Sequence, residues 1–338
     1  MSDCSDIFAG ERPVDLHSPN STPDGARHPA PRRALFLVNP KARQGQTHIA
    51  PIRALLEEGG ISVSEHALSK GEDLSDLIRR HSAACDLVIV GGGDGTLNRA
   101  ASGLFDTGLP LGVLPLGTAN DFARTLGIPP DPVAAAALIV SGTPRLIDLG
   151  YVNGHPFLNV ASIGFSAELA QQLTGAAKKR WGKLGYALTA ARMIAQSRLF
   201  TAYIEHDGTI ETVRTLQASV GNGRYYGGGM AVAETATADD GTLDFYSLEV
   251  DHWWRLLRLL PSLRRGTQGA WDDVRAFRTT EIVIRTRKPR AVNTDGELST
   301  WTPAHFTIHP AAIRVIAPQT LPGRMAMSRR LFASSTEE

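Results

Sequence analysis

Two short turns hold the residues of this chain best suited to chemistry on a phosphate. The apolar run Leu87-Val88-Ile89-Val90 leads into Gly91, Gly92, Gly93, Asp94, Gly95, Thr96, Leu97 and Asn98. Consecutive glycines leave backbone amides bare, so an anion such as a nucleotide phosphate can approach them closely. The segment beyond reads as a helix start, with its positive dipole end toward the turn. Asp94 and Thr96 add a carboxylate and a hydroxyl that a plain strand-to-helix turn does not require. The segment Leu111 to Arg124 repeats the pattern, with Thr118, Asn120 and Asp121 clustered after Gly117 at another helix start. One of these three can serve as an N-cap. A cap does not account for all of them together with Arg124. A third turn, Asn39-Pro40-Lys41-Ala42-Arg43, is less specific: its cations suit a phosphate, or a solvated surface equally well.

The surrounding pattern says how such turns would be positioned. Ala34 to Val38 reads as a strand, Ile49 to Glu58 as a helix, Ile61 to His66 as a strand and Asp73 to Ala84 as a second helix. Alternation of this kind implies parallel pairing in a doubly wound α/β sheet, whose ligand sits beyond the carboxyl ends of the strands. Asn39, Gly91–Gly95 and Gly117–Asp121 all fall at such ends. After an Ala-rich helix, Pro132 to Val140, the pattern changes. Ile147 to Val152, Phe157 to Ser162, Phe200 to His206, Thr212 to Gly221, Thr242 to Leu248 and Glu281 to Thr286 read as strands. Asn153-Gly154 and Asp207-Gly208 supply hairpin turns. Helical stretches fall near Lys183–Gln196 and His252–Leu260. The expected domains are therefore an α/β domain over 33–146 and an antiparallel β-rich domain over 147–318. A disordered tail over 1–32 and a C-terminal tail over 319–338, able to pack back on the first domain, flank them.

Composition sets outer limits. A chain of 338 residues with 42% hydrophobic content can bury the cores of two domains. A formal charge of +1 gives no argument for a nucleic-acid partner. The two cysteines, Cys4 and Cys85, match no metal spacing and fit a reducing cytosol. No apolar run has the length of a transmembrane helix, and the N-terminus lacks the pattern of a secretory signal.

Taken together, Gly92 to Asn98 and Leu111 to Arg124 resemble the catalytic domain of the diacylglycerol kinase family. Sphingosine and ceramide kinases belong to that superfamily, with NAD kinases more distant. The resemblance spans roughly Arg33 to Pro318. It implies a nucleotide-binding α/β domain, a C-terminal antiparallel β-sandwich, and an active site in the cleft between them. ATP and Mg2+ are the implied cofactors. The nucleotide would be held by Asn39, Pro40, Lys41, Ala42 and Arg43, by Ser69, and by Gly92, Gly93, Asp94, Gly95, Thr96 and Asn98. Thr118, Asn120 and Asp121 complete that set.

In Thr237 to Asp244 the family holds a structural Mg2+. Carried over, Asp240 supplies the carboxylate and Thr237 and Thr242 supply backbone oxygens, ligands that suit a hard cation. Without the other motifs, Asp239-Asp240-Gly241 is an ordinary turn. The Asp295-Gly296-Glu297 triplet matches the family's proton acceptor, which implies Glu297 as the base for a lipid hydroxyl attacking the γ-phosphate. Asp94 is the rival base, taken here as the group that organises metal and nucleotide.

The resemblance implies a kinase acting on a lipid at the membrane surface, cytoplasmic and peripheral to the inner face of the membrane, with a homodimer left open. Diacylglycerol, giving phosphatidic acid, is the leading acceptor. A sphingoid base, ceramide, phosphatidylglycerol or a soluble acceptor such as NAD is the alternative, and a non-catalytic nucleotide-binding module is the third reading. Two segments mix cations with aromatics: Lys178 to Tyr186, and Asp251 to Leu260. Both suit a bilayer interface, although Trp and Leu at helical spacing in the second equally suit a core. Arg99, Glu234 and Ser166 depart from the family pattern, Ser166 replacing a frequent aspartate.

Overall fold

The computed structural model describes residues 32–38, 45–69, 71–167, 198–250 and 253–319. Four parallel strands form the start of the larger sheet: β1 (Arg32–Val38), β2 (Ile61–Ala67), β3 (Leu87–Gly92) and β4 (Leu111–Pro115), in the order β2-β1-β3-β4. β3 and β4 are buried throughout, as unbroken apolar runs covered on both faces must be. The connecting helices are α1 (Gly45–Glu58), α2 (Leu74–His81), α3 (Asp94–Thr107), α4 (Asp121–Thr125) and α5 (Pro132–Ser141). Asp73 caps α2 by accepting from the Asp76 amide at 3.0 Å, and Asp131 caps α5 by accepting from Ala134 at 2.9 Å. Gly108, at φ 64°, ends α3. Gly103 lets α3 lie against α2, since a Cβ there would stand 2.6 Å from the Ser75 carbonyl oxygen.

The sheet continues past β4. Its last strand, β18 (Ala304–Ile316), runs parallel to β4 at Val315 and antiparallel to β5 (Pro144–Val152) along most of its length. The other end of β18 pairs with β15 (Glu281–Thr286), which leads to β8 (Phe200–His206) and β9 (Thr209–Thr215). The short β6 (His155–Phe157) pairs with β5, completing ten strands. Residues 33–146 and 147–318 thus share one continuous sheet. At its end, Gln319 donates to the Thr143 hydroxyl at 2.6 Å, so the chain packs back beside β5.

A second, antiparallel sheet has the order β14-β13-β10-β7-β16-β17. Its strands are β7 (Val160–Gly164), β10 (Gln217–Gly221), β13 (Leu243–Leu248), β14 (Val274–Thr279), β16 (Ala291–Thr294) and β17 (Glu297–Trp301). Its inner face meets the larger sheet through Ile163, Val220, Phe245 and Val292 against Ile204, Ile284 and Phe306, which makes the expected β-sandwich. A ribbon of β11 (Tyr225–Tyr226) and β12 (Met230–Ala231) and the helix α6 (Trp253–Arg265) complete the described elements. Leu256, Leu259 and Leu263 of α6 are buried with Val160, Tyr246 and Leu248 on the outer face of the second sheet. For Leu256 and Leu259 the core reading of the 251–260 segment is the correct one.

Two sequence-predicted strands are each divided. Phe157 to Ser162 breaks at Leu158-Asn159, whose amides turn to the Asp295 carboxylate. Thr212 to Gly221 breaks at Leu216, where the Thr215 hydroxyl bonds the Gln217 and Leu248 carbonyls. The hairpin turns at Asn153-Gly154 and Asp207-Gly208 form as expected, with positive φ at both residues of each.

Candidate active site

The two glycine turns touch. A Cβ on Gly117 would stand 2.5 Å from the Gly93 Cα, and one on Gly92 would collide with the Thr96 side chain at 2.7 Å. Only glycine permits this approach. Thr96 is buried beneath the first turn, its amide bonded to the Gly93 carbonyl at 2.9 Å. Asn120 sits in the left-handed region at φ 51°, and its side chain closes the second turn. Its Oδ1 accepts from Gly117 at 2.9 Å, while Nδ2 donates to the Pro115 and Gly117 carbonyls at 3.3 Å each. Thr118 is exposed at the tip.

Both aspartates face inward. Asp94 opens α3, and its Oδ1 accepts from the Phe122 amide at 2.9 Å. Asp121 is only 4% exposed. Its Oδ2 accepts from the Gly228 amide at 2.7 Å, while its other oxygen has no hydrogen-bond partner. Burial raises the Asp121 pKa and the Asp94 charge adds to the rise, against the Gly228 and Gly229 amides and Arg124. Two neighbouring carboxylates with a buried free oxygen form a place for a cation or a hydrogen-bond donor.

The Asp295-Gly296 hairpin joins these turns from the sandwich side. Asp295 and Gly296 take φ of 50° and 98°, as a two-residue turn between β16 and β17 demands. The Asp295 carboxylate accepts four hydrogen bonds: from the Leu158, Asn159 and Val160 amides at 2.7, 2.9 and 3.1 Å, and from Asn98 Nδ2 at 2.9 Å. Even so, burial pushes its pKa up to about 6. Asn98 also donates to the Pro156 carbonyl at 3.0 Å, so it pins α3 to the sandwich. Glu297 is exposed, and its Oε1 would lie 3.2 Å from a Cβ on Gly95. Its carboxylate therefore stands over the first turn of α3, a favourable place for negative charge. Glu297 and Asp94 reach the same helix end from opposite lobes.

Beside them lies a cavity of about 260 Å³. Asp94, Asp121, Asn159, Ser162, Ser166 and Asn293 contribute polar groups to its wall. Asn159 and Asn293 escape sequence reasoning: each sits inside or next to an apolar strand pattern, and only the burial of an unpartnered Asn159 Oδ1 singles it out. Gly227 and Gly228 also line the cavity, in a turn whose glycines mark it as a close backbone approach. Ser166 opens a neutral hydrogen-bond chain. Its hydroxyl donates to Gln217 at 2.5 Å, Gln217 donates to Tyr246 at 3.2 Å, and Tyr246 meets Tyr226.

Other predicted positions do not line this cavity. Ser69 is exposed at the end of β2, its amide bonded to Glu72 at 3.0 Å. Asp240 Oδ1 accepts from the Thr242 amide and hydroxyl at 3.1 and 2.8 Å, and Thr237 is buried nearby in the chain. Burial raises the Asp148 pKa, and the charges of Asp240 and Asp239 add to it; Arg145 pairs with Asp239 at 3.0 Å and Arg278 with Asp240 at 3.8 Å. Among the described residues no group of three or more His, Cys, Asp or Glu side chains converges as a metal cage. The expected set, one carboxylate with carbonyl oxygens, is of a different kind. Asn39, Pro40, Lys41, Ala42 and Arg43, the Lys178 to Tyr186 segment and the helix near Lys183–Gln196 lie outside the described residues, as does nearly all of each tail.

Known proteins resemble this chain in sequence and fold. Residues 33–152 match the family model of the diacylglycerol kinase catalytic domain, and residues 159–317 that of the YegS C-terminal NAD kinase beta sandwich-like domain. A protein of Mycobacterium tuberculosis named diacylglycerol kinase is 33% identical over 299 residues, covering 85% of this chain and 96% of that one. A probable YegS-like lipid kinase of Pseudomonas fluorescens is 32% identical over 294 residues, covering 86% and 97%. The crystal structure of a putative diacylglycerol kinase from Bacillus anthracis superposes with a TM-score of 0.74 at 29% identity, covering 86% and 96%.

Proposed function

The chain belongs to the diacylglycerol kinase family of lipid kinases, and from that membership we propose that it transfers the γ-phosphate of ATP to a membrane-lipid hydroxyl, with diacylglycerol as acceptor and phosphatidic acid as product. It is a phosphotransferase acting on an alcohol. The observation that carries the finer reading is the placement of the Glu297 carboxylate over Gly95, one residue from Asp94, beside a cavity bounded by both lobes.

Glu297 is the base in this reading. An exposed carboxylate can take the acceptor proton as the lipid oxygen attacks the γ-phosphorus and the bond to the bridging oxygen of ADP breaks. The glycine turns, which no side chain can crowd, offer amides to the phosphates. Asn120 and Asn98 hold those turns and α3 in place. Asp94 and Asp121 are the residues that would hold Mg2+ at the phosphates, because the free buried oxygen of Asp121 fits a cation. Bound there, Mg2+ would neutralise charge on the phosphate oxygens. A second, structural Mg2+ would be held by Asp240 with the Thr237 and Thr242 carbonyls, oxygen ligands that suit a hard cation. No described helix is long and apolar enough to cross a membrane, and the reading puts the enzyme peripherally at its cytoplasmic face.

The test is transfer of radiolabelled γ-phosphate to diacylglycerol, a sphingoid base, ceramide, phosphatidylglycerol and NAD in parallel. Labelled phosphatidic acid is the expected product. Label on NAD and on no lipid would overturn the reading, and label on nothing would leave a nucleotide-binding module.

A further inference from the structure

Four uncharged polar side chains cross the outer face of the second sheet in one row. Asn293 of β16 pairs with Ser162 of β7, Ser162 with Ser219 of β10, and Ser219 with Tyr246 of β13. Directly paired residues share a face. Their chain neighbours Val292, Ile163, Val220 and Phe245 point the other way, into the sandwich core. All four members of the row are buried. Buried polar side chains are costly unless their hydrogen bonds are used. Asn293 and Ser162 line the cavity, so the row is part of its floor, and it begins two residues before Asp295.

Backbone partners fix which way the amides of this floor point. The Gly296 amide can only donate, so the Asn293 atom that meets it at 2.8 Å is Oδ1. Nδ2 is then a donor, without a partner among the described residues, on a side chain that lines the cavity. The same logic applies to Gln217, two residues from Ser219 on the same face. The Ser166 amide meets its Oε1 at 3.2 Å, so Nε2 donates to Ser219 at 2.9 Å and to Tyr246 at 3.2 Å. Tyr246 thus accepts from Gln217 and has its own proton to give, and the hydroxyl bonded to it is that of Tyr226, which lines the cavity. Burial, the neighbouring Tyr246 and the Asp121 charge raise the Tyr226 pKa, so that hydroxyl keeps its proton. The floor therefore offers two neutral donors, and no charge on the row pairs with an ammonium group.

We propose that Asn293 Nδ2 and the Tyr226 hydroxyl donate to the two ester carbonyls of the acceptor, so that the cavity reads a diacylated glycerol by its carbonyl oxygens as well as by its free hydroxyl. In this arrangement Tyr246 gives its proton to Tyr226, and Tyr226 turns its own into the cavity. The proposal rests on the lipid-kinase reading and names the feature of the acceptor that the site recognises. Both are positioning residues, since neither exchanges a proton with the reacting oxygen.

The test measures kcat/KM of the full chain for two acceptors in detergent micelles. One is dioctanoylglycerol; the other is dioctylglycerol, the ether analogue that keeps the hydroxyl and lacks both carbonyls. A neutral hydrogen bond contributes about fivefold, so the parent should prefer the diacyl acceptor about 30-fold. Tyr226→Phe removes only a hydroxyl, and Asn293→Asp keeps the oxygen that holds Gly296 while losing the donor. Each should reduce the preference to about fivefold, and the two together should abolish it. Damage to the fold or to the phosphate site lowers both acceptors alike and does not move this ratio. A parental preference in both single variants would overturn the proposal. A parent that uses the two acceptors equally would overturn it and leave the lipid-kinase reading standing. Transfer to neither, with label on NAD instead, would overturn both.

Discussion

The pH dependence of stability should carry a contribution from Asp295 whose sign is set by burial. The folded carboxyl has its pKa pushed from 3.8 to about 6, although four donors surround it. An acid raised in the folded state contributes its stability while protonated, below its unfolded pKa, and loses it as pH rises through about 6. The rise of about two units corresponds to about 3 kcal/mol. The D295N variant does not titrate at this position. The difference in unfolding free energy between parent and variant therefore isolates the carboxylate. Urea unfolding from about pH 3 to about pH 8 should show the parent losing about 3 kcal/mol relative to D295N.

Absolute stability at neutral pH is a poorer guide. An asparagine keeps one acceptor oxygen and turns its amide toward two of the four donors. Two unpaired buried donors cost about 2–6 kcal/mol, and removing the buried charge offsets about 3 kcal/mol of this. The slope against pH separates the two effects. A parent that gains on D295N as pH rises would show that the four donors outweigh burial, and the reasoning would be refuted. The same variant leaves Glu297 in place and frees Asn98, so phosphate transfer should fall by up to about 100-fold through misplacement alone.

Other outcomes follow from single distances. Glu297→Gln should lower kcat by about 10²–10⁴-fold and leave nucleotide affinity, read by calorimetric titration, at the parental value; a near-parental kcat would remove Glu297 as the base. Gly117→Ala puts a methyl group 2.5 Å from the Gly93 Cα, and the parting of the turns should cost about 1–3 kcal/mol in thermal unfolding and abolish stabilisation by ATP. A chelator should lower the parental melting temperature and leave that of Asp240→Ala unmoved. An equal drop in both would take the structural cation away from this turn.

The alternation of strand and helix was legible because burial on both faces writes β1, β3 and β4 as apolar runs. The Gly-Asp and Thr-Ala-Asn-Asp turns were legible because each combines a steric exception with charge. β14, β16, β17 and β18 were not. Val274 to Thr279 alternates with arginines, and the long β18 carries His309, Pro310 and a register irregularity between His309 and Ile313. Its pairing with both β4 and β15 depends on partners far away in the chain, which local pattern cannot report. The same is true of Asn159, whose amide serves Asp295 and whose side chain faces the cavity.

Adjacent carboxylates in Asp295-Gly296-Glu297 illustrate what only structure separates. Sequence gives two acids of equal standing, either of which could take a proton. Asp295 has every oxygen engaged by donors from α3 and the β6–β7 connection, so it has no lone pair to offer an acceptor hydroxyl without dismantling that connection. Glu297 stands exposed over Gly95. The division of labour follows from the turn itself. Positive φ at Asp295 and Gly296 reverses the strand, folding the first acid back toward β7 and sending the second out at the start of β17. β18 then fixes where that hairpin lies, since it belongs to the sheet that carries both glycine turns and to the sandwich that carries β16 and β17. The placement of Glu297 against Asp94 is therefore a property of a continuous hydrogen-bonded sheet together with the Asn98–Asp295 contact. Loosening that contact should weaken catalysis without altering either candidate catalytic group.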